Sequence, residues 1–175
     1  MIDLTSRALP NTVNVNGRPF SINTDFRLWM RFEIEVARGD FPINTSYLFR
    51  SEVPKFCRID ELMVFSRPKQ ELPRSLGDDS TIVIDYEYDA DYIYAAILGQ
   101  YGIDLFEVEE LHWHKFLALI RGLNESTRMR EIMGYRCYKK NTDKNTDQLE
   151  RLRYAWEVDR SISNKEIKEF SDLFS

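Results

Sequence analysis

Apolar positions recur along much of the chain with the 3.6-residue period of an amphipathic helix. The clearest stretch is 86–123, where two periodic runs are separated by a turn at Gly102. Each run places apolar residues at spacings of three and four, which puts them on one helix face. These residues are Ile93, Ala96, Ile97 and Tyr101 in the first run, and Trp113, Phe116, Leu117 and Ile120 in the second. The pattern predicts a helical hairpin.

The ends of these two helices have recognisable capping residues. Asp89 suits the N-cap of the first helix, and Gly102 suits the left-handed position that follows its last turn. Asp104 with Glu107 three residues later resembles a capping box, so we expect the second helix to begin there. Gly122 is expected to end it.

The N-terminal region has the period of two that is typical of strands. Residues 12–15 and 18–22 flank Asn16-Gly17, the preferred pair for a two-residue type I′ turn. This pattern predicts a β-hairpin. Pro19 restricts its strand to an edge, and the hairpin should pack on a helix because two isolated strands are not stable in water.

Further helices are predicted on both sides of the central hairpin. Before it, we expect a helix at 26–38 that Gly39 ends, and a second helix with Pro54 in its first turn and Phe56 on its apolar face, ending before Pro68. After it, we expect a short helix from 124–126 to Met133, closed by Gly134. A further helix should begin at Thr146 or Asp147, and a C-terminal helix should span 163–174. Residues 81–88 alternate like a strand but lead directly into a helix, and we leave both interpretations open.

These elements predict a mainly α fold, a compact helical domain with a small N-terminal β-hairpin. At 175 residues the chain has the length of one domain. We expect the hairpin and first helices over 1–68, a linker at 69–80, a helical core at 81–160 and a C-terminal helix at 161–175.

Composition favours a soluble globular protein. Hydrophobic residues make up 43% of the chain and charged residues 30%. We find neither an apolar run of about 18 residues nor a signal-peptide pattern, so we expect no membrane association and a cytoplasmic location. Cys57 and Cys137 have neither metal-ligand spacing nor a disulfide pattern, and are expected to be reduced thiols.

Charge is distributed unevenly. Residues 78–110 contain ten acids and no Lys or Arg, whereas residues 121–153 contain nine bases and five acids. Such strips are either solvated helix faces or complementary surfaces for self-association or a charged helical partner. Both interpretations stay open.

Few residues have spacing that suggests chemistry. His112 and His114 point to different sides of a helix and cannot chelate one metal; we expect His112 to be partly buried and His114 to lie on the surface. The acids from Asp85 onward resemble a calcium loop, but Ala90 and Ala96 occupy its essential glycine and closing acid. We predict no catalytic residue, metal site or cofactor.

A basic set with two interleaved tyrosines leaves nucleic-acid binding as a disfavoured alternative. It comprises Arg128, Arg130, Arg136, Lys139, Lys140 and Lys144, with Tyr135 and Tyr138 between them. Aromatic and basic side chains of this kind can stack on bases and neutralise phosphates. The simpler interpretation is that they solvate a short helix and its loop.

Several segments resemble the bacteriophage Gp-fifteen family. They are 85–105, Leu111-His112-Trp113-His114-Lys115-Phe116, Gly122-Leu123, Ile132-Met133-Gly134-Tyr135-Arg136 and the N-terminal 22–29. The resemblance implies a non-enzymatic tail assembly chaperone that holds the tape-measure protein until tail-tube subunits replace it. It also implies contacts with other tail assembly proteins in the host bacterial cytoplasm.

Within that resemblance we assign roles as expectations. Tyr92, Tyr94, Trp113 and Phe116 should mainly build the core. The expected partner contacts are Phe170, Leu173 and Phe174 in the C-terminal helix, with Arg128 and Arg136. A structural virion protein, such as a tail completion or head-tail joining subunit, is the main alternative, and a homo-oligomer stays open.

Overall fold

The computed structural model describes residues 2–39, 41–68, 82–139 and 146–158. Within these ranges the chain forms six α helices, a short 3-10 helix at Ser46–Leu48 and a two-stranded sheet. The strands are β1 Thr12–Val15 and β2 Arg18–Ser21, and the helices are α1 Phe26–Arg38, α2 Ile59–Ser66, α3 Ala90–Tyr101, α4 Trp113–Arg121, α5 Arg128–Cys137 and α6 Thr146–Trp156. The mainly α fold with an N-terminal hairpin is therefore confirmed.

The chain divides into two compact units. Unit 1 comprises Met1–Leu76 and Ile97–Leu123, and unit 2 comprises Gly77–Ala96 and Asn124–Ser175. The sequence expectation of a single domain stays a prediction. Its linker at 69–80 and its C-terminal helix at 161–175 lie outside the described residues.

The hairpin forms with the predicted turn. β1 and β2 are antiparallel, with Val15 opposite Arg18. Asn16 and Gly17 both have positive φ, 51° and 79°, as a type I′ turn requires. The Asn16 amide donates to the carboxylate of Glu61 in α2 at 2.7 Å, so the hairpin does pack on a helix.

Helix α1 has the predicted bounds. Asp25 caps its first turn by accepting a hydrogen bond from the Arg27 amide at 2.9 Å. Phe26, Trp29 and Phe32 are buried, and so is Glu33. The Glu33 carboxylate accepts hydrogen bonds from the Ser66 hydroxyl and from the Arg67 guanidinium, which satisfies a charge that would otherwise be costly to bury.

Aromatic rings fill the core of unit 1. Phe26 stacks on Phe116 with ring centroids 5.0 Å apart, and Trp29 packs against Phe65 at 4.5 Å. Trp113 is fully buried, and its indole N–H donates to the Ser66 carbonyl at 2.8 Å. The core roles predicted for Trp113 and Phe116 agree with this packing, while Tyr92 and Tyr94 are half-buried.

Helix α4 starts later than predicted. The Asp104 carboxylate accepts from the Phe106 amide at 2.8 Å, but this caps one turn that does not continue. The chain instead pairs with the start of α1: Phe26 N donates to Leu111 O, and Trp113 N donates to Thr24 O. This long-range pairing holds residues 111–112 extended, so the helix begins only at Trp113.

Two other helix bounds also differ from prediction. Helix α2 begins at Ile59, and Pro54 and Phe56 precede it; the Phe56 side chain is 67% exposed rather than part of the apolar face. Helix α5 passes through Gly134 and ends at Cys137. Gly134 costs helix stability but does not stop the helix, because Arg136 in the next turn has fixed partners.

The segment before α3 is not a strand. Residues 86–89 form a turn in which Asp89 N donates to Asp85 O at 2.9 Å, and Ile93 N then donates to Asp89 O. Gly102, with φ of 66°, follows the last residue of α3 as predicted. Helix α6 begins at the predicted Thr146.

Candidate partner-binding surfaces

Unit 2 contains a buried ion pair between α5 and the start of α3. The Arg136 guanidinium binds the Asp89 carboxylate at two points, Nη1 to Oδ2 at 2.5 Å and Nη2 to Oδ1 at 2.8 Å. Arg136 also donates to the carbonyls of Trp156, at 2.7 Å, and Val83, at 3.2 Å. The Arg136 side chain thus joins α5, the segment that leads into α3 and the end of α6.

The acids of the calcium-like stretch have structural partners. Asp89 Oδ2 also accepts from the Asp85 amide at 2.8 Å, and Asp85 Oδ1 accepts from the amides of Glu87 and Tyr88. These two buried carboxylates therefore shape the turn before α3. In the ranges that the structure describes, no group of three potential metal ligands occurs.

The predicted partner contacts lie in different environments. Arg136 is buried, and its guanidinium is engaged as described. Arg128 is half exposed, donates to Glu131 at 2.7 Å and lies over the Trp156 ring at 5.1 Å. Phe170, Leu173 and Phe174 lie outside the described residues. Partner binding by all five stays a prediction.

The basic set considered for nucleic acid is not one continuous surface. Arg136 faces inward and Arg128 is paired with an acid, while Lys140 and Lys144 lie outside the described residues. Stacking platforms for single strands need accessible cations beside accessible rings. Because Arg136 is buried, the central cation of the set is not accessible to a nucleic acid.

A surface that the sequence analysis did not single out surrounds Phe106 in unit 1. We define the Phe106 loop as residues 103–110, between α3 and α4. Its aromatic side chain is 84% exposed, although the neighbouring Leu105 is buried. The carboxylates of Glu107, Glu109 and Glu110 on the same loop are also exposed. The sequence signal for it was an aromatic residue within an acidic run, which we assigned to a helix.

Helix α1 holds the backbone of the Phe106 loop on both sides of the aromatic residue. Arg27 Nη2 donates to Leu105 O at 2.9 Å and to Val108 O at 2.7 Å. Asp104 O accepts from the Val108 amide at 2.9 Å within the loop. An exposed aromatic side chain on a loop with fixed backbone loses little further entropy on binding, which favours recognition.

The two histidines support the start of α4 rather than a metal site. His112 Nδ1 accepts from the His114 amide at 3.0 Å, and its Nε2 is 2.9 Å from Pro10 O. Because a carbonyl only accepts, Nε2 carries the proton and the ring is neutral. Burial lowers the pKa of His112 most strongly, the nearby Lys115 lowers it further, and the bond to Pro10 opposes both.

His114 is buried, so its predicted surface position is wrong. Its ring stacks on Phe65 with centroids 4.4 Å apart, and Nε2 lies 2.9 Å from the Phe65 carbonyl. Burial is the main cause that lowers its pKa. Nδ1 is buried without a hydrogen-bond partner among the described residues. The ring therefore acts as a core aromatic with one polar contact.

Comparisons with known proteins identify one family. The family model described as Bacteriophage Gp15 protein matches residues 44–158. Searches of curated proteins and of solved structures each found no match. No helix within the described ranges has the length and apolar character needed to cross a membrane.

Proposed function

The chain belongs to the Bacteriophage Gp15 protein family, and from this we propose that it is a non-enzymatic tail assembly chaperone that binds the tape-measure protein. In this proposal it holds the tape-measure protein in the host bacterial cytoplasm until tail-tube subunits replace it. Other tail assembly proteins are its further partners. Membership of this family indicates a phage protein, and the chaperone role is what we propose.

The observation that carries the proposal is the Phe106 loop. A holding protein needs apolar surface that is ordered before its partner arrives, because ordering on binding reduces affinity. The ring of Phe106 is exposed, and Arg27 holds the backbone on both sides of it in place, which meets that need. Aromatic side chains are common binding hot spots at protein interfaces.

The charge around the loop suggests the type of partner surface. Glu107, Glu109 and Glu110 are exposed near Phe106. A long helical partner with an apolar stripe flanked by Lys or Arg would match both the ring and the carboxylates. We propose that the tape-measure protein supplies such helices.

The distribution of the protein during infection tests the proposal. A chaperone should be abundant in extracts that are assembling tails, associated with the tape-measure protein, and absent from purified particles. Quantitative mass spectrometry of both fractions measures this. Stoichiometric recovery in purified particles would contradict the chaperone role and support a structural virion protein.

The predicted contact of the C-terminal helix needs a separate test. We expect deletion of residues 163–175 to weaken binding of tape-measure segments if Phe170, Leu173 and Phe174 contribute. Unchanged binding would restrict the contact to residues before 163. Far-ultraviolet circular dichroism of the truncated chain checks that the helices in the rest of the chain remain intact.

A further inference from the structure

A cavity of about 430 Å³ lies in unit 1 where α1 and α4 begin. Its lining includes three basic side chains, Arg7, Arg50 and Lys115. Leu9, Leu28 and Leu111 supply apolar walls. A volume of this size is in the usual range for ligand pockets of about 300–1,000 Å³.

The backbone adds positive potential to this cavity. Thr24 and Asp25 precede α1, Leu111 and His112 precede α4, and all four line it. The two starts are tied together, because Phe26 N donates to Leu111 O at 2.9 Å and Trp113 N donates to Thr24 O at 2.7 Å. The amides of Phe26 and Trp113 donate in these bonds, and those of Arg27 and His114 donate to Asp25 and His112, so the helix starts add only a weak positive potential and the side chains must supply the binding.

The side-chain charges lining the cavity are not balanced. Arg7, Arg50 and Lys115 make no side-chain ion pair or hydrogen bond with any other residue in the described ranges. Asp25 already has a cation, since its Oδ2 lies 3.1 Å from Arg27 Nη1. The other acid in the lining is Glu110, so one carboxylate without such a pair among the described residues faces three cations.

His112 contributes a neutral wall. Both of its ring nitrogens are engaged, Nδ1 with the His114 amide and Nε2 with Pro10 O. The imidazole therefore adds no charge to the cavity, and it does not form a hydrogen bond with Arg7, Arg50 or Lys115. The cavity keeps a net positive lining beside an apolar surface.

We propose that this cavity binds an acidic peptide segment in which a carboxylate side chain is next to an apolar one. The basic side chains bind the carboxylate, and the leucines contact the apolar neighbour. A nucleic acid fits less well, because single strands bind through aromatic side chains on which their bases stack, and this lining offers leucines rather than Phe, Tyr or Trp. The inference does not depend on the tape-measure assignment.

A labelled peptide tests the ligand class. The probe is a fluorescein-labelled peptide of alternating glutamate and leucine, and its control has glutamine in place of glutamate. We expect fluorescence anisotropy of the full chain to show binding of the glutamate peptide about tenfold or more tighter than the glutamine peptide, and weaker binding as salt is raised. Equal binding of the two peptides, or no binding of either, would overturn the proposal.

Substitutions locate the binding. Arg50→Gln and Lys115→Gln should each weaken binding of the glutamate peptide by about fivefold to tenfold, because each removes a charge-assisted contact. Arg18→Gln is the matched control, an exposed cation of unit 1 that lies outside the cavity and pairs with Glu52 at 3.8 Å. Equal loss in all three variants, or no loss in either cavity variant, would contradict the assignment.

Two further readouts complete the test. Thermal unfolding of each variant shows whether it is folded, and amide shifts of Leu28 and Lys115 on peptide addition show whether the peptide enters the cavity. Shifts confined to residues elsewhere would overturn the proposal. Single-stranded DNA that competes with the peptide and loses affinity in the same two variants would reassign the cavity to nucleic acid.

Discussion

Arg136 and Asp89 form a two-point ion pair in which the side chains are only 4% and 2% exposed. The pair links α5 to the start of α3, and Arg136 extends it to the end of α6 through Trp156 O. A buried carboxylate requires this compensation, because an unpaired buried charge is strongly destabilising. Arg136 therefore stabilises the arrangement of these three elements of unit 2.

Replacing that arginine should be costly. We expect Arg136→Met to lower the free energy of unfolding by about 3–5 kcal/mol, since it leaves Asp89 buried without its cation. Arg128→Met is the control: its pair with Glu131 is exposed and should contribute little to stability. Urea unfolding measures both, and equal effects would show that the Asp89 pair is not a structural centre.

Three glycines test the helix bounds. Gly99 and Gly134 lie within α3 and α5, and an added Cβ would meet nothing within 4 Å, so Gly→Ala at each should stabilise by about 0.5–1 kcal/mol. At Gly122 the added Cβ would lie 2.9 Å from the Tyr101 hydroxyl, and we expect Gly122→Ala to destabilise by about 1–3 kcal/mol. Thermal unfolding distinguishes the signs. Destabilisation by Gly134→Ala would mean that α5 ends earlier.

The histidines predict how stability depends on pH. Burial lowers the pKa of His112 and His114 from 6.5, so the unfolded chain binds protons more readily than the folded chain. The stability that comes from keeping these two rings neutral is fully present above about pH 6.5. It decreases as the pH falls from there to the lowered pKa of the folded chain, below which it is lost. Unfolding free energies measured between about pH 5 and 8 should show this slope.

A histidine variant provides the control for that slope. His112→Asn keeps an N-cap residue but removes one titrating ring, so its stability should depend less on pH. A profile as steep as that of the unaltered chain would show that His112 does not contribute. Protonation of His112 Nδ1 is unfavourable because that atom accepts the His114 amide.

Arg27 should control the order of the Phe106 loop. Arg27→Gln removes the bonds to Leu105 O and Val108 O, and we expect faster amide hydrogen exchange at Phe106, Glu107 and Val108. Arg31→Gln, on the same helix but paired with Glu35, is the control. Unchanged exchange in the loop of the Arg27 variant would mean that the loop is ordered by other contacts.

Elements specified by local chemistry were predictable from the sequence. The Asn16-Gly17 turn and the position of Gly102 after α3 each depend on a few residues, and the structure has both as expected. Their signals in the sequence are the Asn-Gly pair of the turn and a glycine after the last turn of the helix. The fold class follows from such elements.

Features that depend on distant segments were not predictable in this way. Because Trp113 N donates to Thr24 O, α4 begins later than its local sequence predicts. The His114 ring is buried because it stacks on Phe65. The Phe106 loop is fixed by Arg27, 79 residues earlier in the chain. Periodicity does not show which segments meet, so Phe106 was assigned to a helix and His114 to the surface.

The measurement that tests the central claim most directly is the molar mass, by light scattering on a sizing column, of the chain co-expressed with segments of the tape-measure protein. We expect a stable complex with one segment. Phe106→Ala should abolish or strongly weaken it, and Phe56→Ala, which truncates an aromatic residue 67% exposed elsewhere in unit 1, should not. A chain that elutes alone with every segment would contradict the chaperone role, and a complex unaffected by Phe106→Ala would contradict the surface assigned to it.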